Sequence, residues 1–329
     1  MMKIIESKTD SQDANKTRIS IDLKSTTFNV LIAYIAICIF FGILSPYFFS
    51  LKNFLNIGAY ASIMGILATG LTMALITGGL DISISSIAAF AGMIVSALLK
   101  AEYPTIVCIL AALCCGLVGG LLNGTIITKF KINPIITTLG TMSIFRGLSY
   151  ALVQGKSITI TNEAFLQIGR GFTLGIPNSI IIMILSYIVI GYILSSTPFG
   201  RKIYAIGGNS YASYLSGINV NKTRFLLYLI AGVMSALAGI IMTAQNGAGL
   251  PQAGTGIEMD VVAAVILGGV SLAGGKGNVV GTFLGVLLLA TVANGMVLLN
   301  IQSYYQLIVK GGILILAVLI DAVRGGGYE

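Results

Sequence analysis

The chain has 329 residues, of which 9% are charged and 56% hydrophobic, with 41 glycines, a mean hydropathy of +0.96 and a formal net charge of +8. A soluble domain carries about 25% charged residues, so this chain has too few to cover a water-exposed globule, and a soluble enzyme is excluded. It contains no histidine, which removes the commonest metal ligand and the usual proton carrier near neutral pH.

A bilayer core of about 30 Å takes roughly 20 apolar residues per helix. On that basis a polar tail, 1–27, precedes ten predicted spans at 28–46, 54–77, 82–99, 104–128, 132–153, 176–196, 224–245, 257–273, 279–299 and 303–320. The fold class is an all-α integral membrane protein of about ten transmembrane helices, a helical domain over 28–321 followed by a short tail, 322–329. The first span lacks a small-residue cleavage site and reads as an uncleaved helix, not a signal peptide. The four cysteines, Cys38, Cys108, Cys114 and Cys115, fall in apolar runs with neither zinc nor disulfide spacing, and are expected to be buried thiols.

Ten crossings from a cytoplasmic N-terminus place thirteen Lys and Arg inside and four outside, namely Lys52, Lys100, Lys156 and Arg170, with Arg146 and Lys310 inside spans. This bias predicts that both termini are cytoplasmic, and cations confined to short loops mark membrane orientation, not a nucleic-acid surface.

The polar and glycine features follow in chain order. At 77–86 two glycines break a span, Asp81 follows, and alternating serines open the next span. Asp81 reads either as a helix cap or as a gate at the inner mouth. Gly116, Gly120 and Gly124 share one helix face, as do Gly277, Gly281 and Gly285, and both stripes predict close helix packing within the chain or at a dimer seam. The span at 132–153 is unusually polar. Asn133, Thr137, Thr141 and Arg146 make it the best candidate to line a pathway, and Asn294 and Lys310 extend that set. Arg146 and Lys310 lie about 10 Å from the outer ends of their spans at 1.5 Å per residue, and either snorkel to the surface or face a polar path. Glu258 and Asp260, two residues apart, point about 200° from one another around a helix and cannot form a catalytic pair by themselves; they are helix N-terminal acids or part of a docking rim. Residues 268–277, GGVSLAGGKG, fail the nucleotide-loop pattern, because the required first glycine falls on Val270 and Gly277 replaces the terminal hydroxyl.

The two halves rhyme. Gly78-Gly79 and Gly268-Gly269, Asn123-Gly124 and Asn294-Gly295, and the cations Arg146 and Lys310 recur in order, which predicts an inverted repeat of five spans with a pathway at its interface. The longest inside loop, 198–223, carries a start signal at Gly207-Gly208-Asn209, a short helix from Ser210 to Ser216 and a stop at Gly217. Tyr211, Tyr214, Leu215 and Ile218 give that helix an apolar side, suited either to the lipid surface or to a cytoplasmic partner.

The stretch 200–222, with GRKIYAIGGN and LSGINVNK, closely resembles the permease subunits of bacterial monosaccharide ABC importers, the ribose permease group in particular. The resemblance continues through GGLDISISS (78–86), NPIITTLGTMSIFRG (133–147), AGTGIEMDVVAAVILGGVSLAGGKG (253–277) and NGMVLLNIQSYYQLIVKG (294–311). It implies a type II importer-like permease of the bacterial inner membrane. Such a permease pairs with a second permease protomer, two cytoplasmic ATPase domains and a periplasmic or lipid-anchored sugar-binding protein. ATP and Mg are then bound by the partner ATPase, and this chain carries no cofactor and no catalytic residue. The 198–223 loop becomes the coupling helix, with Gly208, Asn209, Ala212, Tyr214, Leu215, Ser216, Gly217 and Ile218 as its contact set. The Glu of the EAA-type loop is missing, since Asn209-Ser210-Tyr211-Ala212-Ser213 stands in its place. The competing class is an ion-coupled secondary transporter or facilitator, which would need a coupling-ion site that the spans do not display.

Overall fold

The computed structural model describes residues 26–325. The predicted tail 1–27 lies almost wholly outside them, as do the last four residues of the predicted tail 322–329. The helices are α1 (Thr26–Leu44), α2 (Leu51–Ile76), α3 (Ile84–Lys100), α4 (Thr105–Lys129), α5 (Pro134–Ala151), α6 (Glu163–Arg170), α7 (Asn178–Ser196), α8 (Pro198–Gly208), α9 (Ser210–Leu215), α10 (Val220–Asn246), α11 (Ile257–Leu267), α12 (Val279–Leu298) and α13 (Ser303–Gly325). Two-residue strands β1 (Ile158–Thr159) and β4 (Ala248–Gly249) pair antiparallel, as do β2 (Phe172–Thr173) and β3 (Ile176–Pro177). Every predicted span contains a helix, and among the described residues seven helices are long and apolar enough to cross a membrane. The chain is a multi-pass membrane protein.

Short polar side chains start the helices. Ser50, Asn133, Asn162, Thr197, Asn209, Asn219 and Asn278 each accept a backbone N–H from the first turn of the helix that follows, satisfying donors that have no partner inside a helix. Gly247, with φ 69°, ends α10 in the left-handed conformation, which glycine adopts without the Cβ penalty.

Two spans depart from the sequence expectation. The predicted 257–273 helix stops at Leu267, so α11 is about 16 Å long, half a bilayer core. The chain then turns through Gly269 (φ 91°), Gly274 (φ 88°) and Gly275 (φ 74°). Likewise α3 is preceded by an irregular stretch, 77–83, in which Asp81 and Ser83 are buried. Irregular backbone at membrane depth is tolerated where protein surrounds it. At the other end α13 runs on to Gly325, so the first residues of the predicted C-terminal tail are helical.

The loops sort into two sides. On one, Gly275 N donates to Ile76 O (2.8 Å), Tyr204 Oη to Gly277 O (2.9 Å), Arg224 Nη2 to Thr77 O (3.2 Å) and Leu272 N to Asp321 Oδ2 (3.0 Å). On the other, β1 pairs with β4 and Arg170 Nε donates to Gln245 O (2.9 Å). These are the pairings that alternating crossings require.

The packing also repeats. Counting the ten span helices in order, α4 on α10 becomes α12 on α2 when each is advanced by five, α3 on α4 becomes α11 on α12, α3 on α5 becomes α11 on α13, and α3 on α10 becomes α11 on α2; all of these pairs are in contact. The first helix of each half departs, α1 lying on α12 and α7 on α2. Of the three sequence rhymes, only Asn123 and Asn294 fall toward opposite sides, as inversion demands. Gly78-Gly79 and Gly268-Gly269 share one side, and Arg146 and Lys310 the other, so neither pair is related by the repeat.

Both glycine stripes pack within the chain. A Cβ on Gly116 would strike Gly232 O, one on Gly120 Tyr228 O, and one on Gly281 or Gly285 the backbone of α11 and its C-cap. The α4–α10 contact is thus backbone on backbone, which is how helices gain van der Waals contact in lipid. Gly232→Ala is expected to lower the melting temperature through an overpacking cost of about 1–3 kcal/mol. Gly191→Ala, whose Cβ would first meet Val279 Cγ1 at 4.0 Å, serves as the silent control in the same thermal melt. The cysteines divide: Cys108 is buried, Cys38 and Cys115 half-buried, and Cys114 exposed on the face of α4 turned away from α10. The expectation of four buried thiols is therefore corrected at Cys114, because α4 packs through one face only.

Candidate functional site

The loop between α7 and α10 is built as two helices, where the sequence showed one. Thr197 caps α8 by accepting from Gly200 N (3.2 Å), and Asn209 both ends α8 and caps α9 by accepting from Ala212 N (2.9 Å). Ser216 Oγ donates back to Ala212 O (2.9 Å), and Gly217 (φ 81°) halts the turn. Tyr211, Tyr214 and Leu215 are 71%, 67% and 68% exposed, Ala212 and Ser216 are also exposed, and Ile218 is half-buried. The result is a small capped knob with an apolar tip.

The knob is joined to the membrane domain through glycine backbone. At Gly207 a Cβ would strike Ile76 O at the end of α2 and Gly275 N in the 268–278 loop. At Gly275 a Cβ would lie 2.9 Å from Gly208 Cα, and at Gly274 3.0 Å from Gly78 N. Tyr204 Oη ties α8 to Gly277 O, and burial pushes the Tyr204 phenol pKa up, keeping it a donor. The glycine doublets at 78–79, 207–208 and 274–275, read from sequence as a span break, a helix start and part of a failed nucleotide loop, form one three-way junction. This accounts for the nucleotide-loop look of 268–277: its glycines permit backbone contact between elements.

On the same side, Asp81 is buried and its Oδ1 accepts from Ser83 N (2.9 Å) and Ser83 Oγ (2.6 Å). Asn123 Nδ2 donates to Ser83 Oγ (2.8 Å), and Thr141 Oγ1 donates to Asn123 Oδ1 (2.7 Å). Thr138 Oγ1 accepts from Ile82 N (3.2 Å). Asp81 therefore turns the chain into α3 and is chained through α4 to α5. Thr137 is buried with its hydroxyl unpartnered among the described residues, and Asn133 caps α5 at Ile135 N (2.9 Å). The threonine stripe of α5 thus faces α3 and α4 inside the chain.

The opposite side holds a second polar group. Lys310 Nζ of α13 pairs with Asp260 Oδ2 of α11 at 2.5 Å, around a water-sized cavity that Tyr60, Met64 and Met296 help to line. Asn294 Oδ1 is buried without a partner among the described residues. Arg146 Nη1 donates to Pro251 O (2.9 Å) and Ala253 O (2.8 Å), pinning the α10–α11 loop. Neither cation snorkels; each is held by protein. Arg146→Met is expected to orphan two carbonyls at a cost of about 1–3 kcal/mol, read as faster proteolysis within 247–256 than in the wild type.

Sequence reasoning put Asp81, Thr141 and Lys310 in the candidate site but left out their partners: Ser83, two residues from Asp81, and Asn123 and Asp260, which lie on other helices from Thr141 and Lys310. It also passed over the small outward faces of α5 and α13. Gly140 and Gly147 of α5, and Gly311 and Gly312 of α13, are exposed, and a Cβ on any of them meets nothing within 4 Å. Among the described residues no three His, Cys, Asp or Glu come together as a metal site.

Residues 53–318 match the family described as branched-chain amino acid transport system / permease component. The chain is 40% identical to the ribose import permease protein of Bacillus subtilis (strain 168), over 95% of this chain and 98% of that protein. It is likewise 40% identical to the ribose import permease protein of Escherichia coli (strain K12), over 88% and 92%. Identity to the L-arabinose transport system permease protein of Escherichia coli (strain K12) is 36%, over 96% of each. No solved structure matches.

Proposed function

This chain belongs to the family of branched-chain amino acid transport system / permease components and is the permease subunit of an ABC sugar importer, and on that premise we propose that its substrate is ribose or a closely related monosaccharide. The observation that carries the proposal is 40% identity, across nearly the whole chain, to ribose import permeases from two organisms.

In this reading the protein sits in the bacterial inner membrane with both termini cytoplasmic. Its partners are a second permease protomer, two ATPase domains and a periplasmic or lipid-anchored sugar-binding protein. Hydrolysis belongs to the ATPase, which binds ATP and Mg, and no covalent step occurs in this chain. The ATPase cleft receives the α9 knob through Asn209, Ala212, Tyr214, Leu215, Ser216, Gly217 and Ile218, and Gly208, the last residue of α8, lends only its backbone at the edge of that contact. The glycine junction passes its movement to α2 and to the 268–278 loop. The second protomer meets the small faces of α5 and α13, and sugar passes along that seam. Asp81, Asn133, Thr137 and Thr141 form the inner gate, and Arg146, Asn294 and Lys310 brace the outer one. Weak binding along the seam suffices when a separate protein supplies affinity, because a tight site would slow release.

The test is copurification of the tagged chain from native membranes, with mass spectrometry of what accompanies it. Recovery of an ATPase subunit and a sugar-binding protein that binds ribose is expected. Recovery without any ATPase, in a detergent that preserves known importers, would overturn the coupling role of α8 and α9 and return the chain to the secondary-transporter class.

A further inference from the structure

On the side opposite the knob, a groove of about 560 Å³ opens between the first turns of α2, the end of α6, the β2–β3 hairpin and the end of α10. That is the size of an ordinary small-molecule site. Lys52 and Arg170 stand at it, and Leu51, Leu55, Ala59 and Phe172 supply its apolar wall. We propose that this groove binds an anionic phospholipid of the adjacent leaflet, its headgroup phosphate between Lys52 and Arg170 and an acyl chain along α2.

Three observations support this occupant. First, cations are scarce on this side: among the described residues Lys52, Lys100, Lys156 and Arg170 stand here against eight on the other. Cations are biased away from one face of a membrane protein, yet two of these four, more than a hundred residues apart in sequence, converge on one groove. Second, both are available. Lys52 makes no ion pair among the described residues, and Arg170 is held there through Nε alone, by Gln245 O, with no hydrogen bond from its Nη groups among the described residues. Third, Leu51, Leu55 and Ala59 recur every four residues on one face of α2, drawing an apolar line of about 12 Å from the helix start toward mid-membrane. An acidic loop of a soluble protein would answer the cations and leave that line wet. A phospholipid answers both, as basic pockets between transmembrane helices do for anionic headgroups. The inference rests on the membrane crossing and is independent of which solute the chain carries.

The experiment places the purified full chain in mixed micelles with equal phosphatidylglycerol and phosphatidylcholine and counts retained lipids by native mass spectrometry. At about fivefold per cation, the wild type is expected to prefer phosphatidylglycerol on the order of 25-fold. Lys52→Gln with Arg170→Gln should remove the preference. Leu55→Trp, which fills the wall, should lower retention of both lipids, and Lys100→Gln, on the same side but outside the groove, should change nothing. Lys52→Gln alone, at an exposed residue, keeps the test decisive if Arg170→Gln does not assemble; it should cost about fivefold. Equal retention of the two lipids by the wild type would overturn the proposal. So would an unchanged preference in the variants, or weaker capture of a soluble sugar-binding protein by Lys52→Gln with lipid retention intact.

Discussion

Gly207→Ala is expected to cut ATP-driven sugar uptake roughly 5- to 150-fold while the protein still reaches the membrane, and Gly208→Ala to leave uptake within about twofold. The first range converts an overpacking cost of about 1–3 kcal/mol into a population of the joined arrangement. The second is the usual reach of a surface substitution. The two glycines are adjacent, on one helix, with the same change in propensity, so helix stability cannot separate them. Their surroundings do: a methyl at Gly207 meets Ile76 O and Gly275 N, which are backbone and give only if α8 moves as a body, whereas one at Gly208 meets nothing within 4 Å among the described residues. If α8 drives α2 and the 268–278 loop, prising them apart should lower uptake and sugar-stimulated ATP hydrolysis together in reconstituted vesicles. Equal behaviour of the two variants would show that coupling does not run through this junction.

The membrane helices were legible because hydropathy dominates their composition; the caps that start them were not read, and α2 and α10 begin at Leu51 and Val220, behind Ser50 and Asn219, ahead of the expected 54 and 224. The end of α11 was not legible. Val270, Leu272 and Ala273 continue the apolar composition past Leu267, and the turn is made by backbone conformation at Gly269, Gly274 and Gly275, which composition does not report. The α8 helix was hidden for a related reason: Gly207 and Gly208 read with Asn209 as the start of the next helix, yet α8 runs through both because Gly207 needs helical geometry and no side chain.

At the candidate site, residue types were readable and their directions were not. Periodicity put Thr137, Thr141 and Arg146 near one stripe of α5, but only the packing reveals that the stripe turns inward to Asn123 and the Asp81 turn. The face free to meet another protomer is the one with Gly140 and Gly147. Asp81 carried two readings, cap and gate. The geometry makes it neither a helix cap in the strict sense nor a free carboxylate: it closes the turn before α3 by accepting from Ser83 N and Oγ, and Ser83 joins it through Asn123 to the helix that a gate would move. A sequence-local view separates those roles; three helices sharing one hydrogen-bonded chain do not.

The second large effect belongs to the opposite side, where Asp260 and Lys310 pair between α11 and α13 with side chains 15% and 27% exposed. Lys310→Met, which keeps the stem and removes the charge, orphans a carboxylate facing α2 and α12, and should destabilise the protein by about 3 kcal/mol, the lower end of the cost of stranding a buried charge. Asp260→Asn should cost less, because the Lys310 ammonium rides on a four-carbon stem about 10 Å from the outer end of its span and can reach the interface once released. Combining Asp260→Asn with Lys310→Met removes both charges and should recover most of the loss, giving a coupling energy of about 1–3 kcal/mol in a thermal-melt cycle. Uptake separates structure from gating. If the pair only holds α11 to α13, the double variant regains transport along with stability. If the pair must open and close as the outer gate works, the double variant is stable and transports poorly. The water-sized cavity beside the pair favours the second outcome, since it leaves the two side chains room to part. Additive losses, with no recovery in the double variant, would show that the two residues act independently.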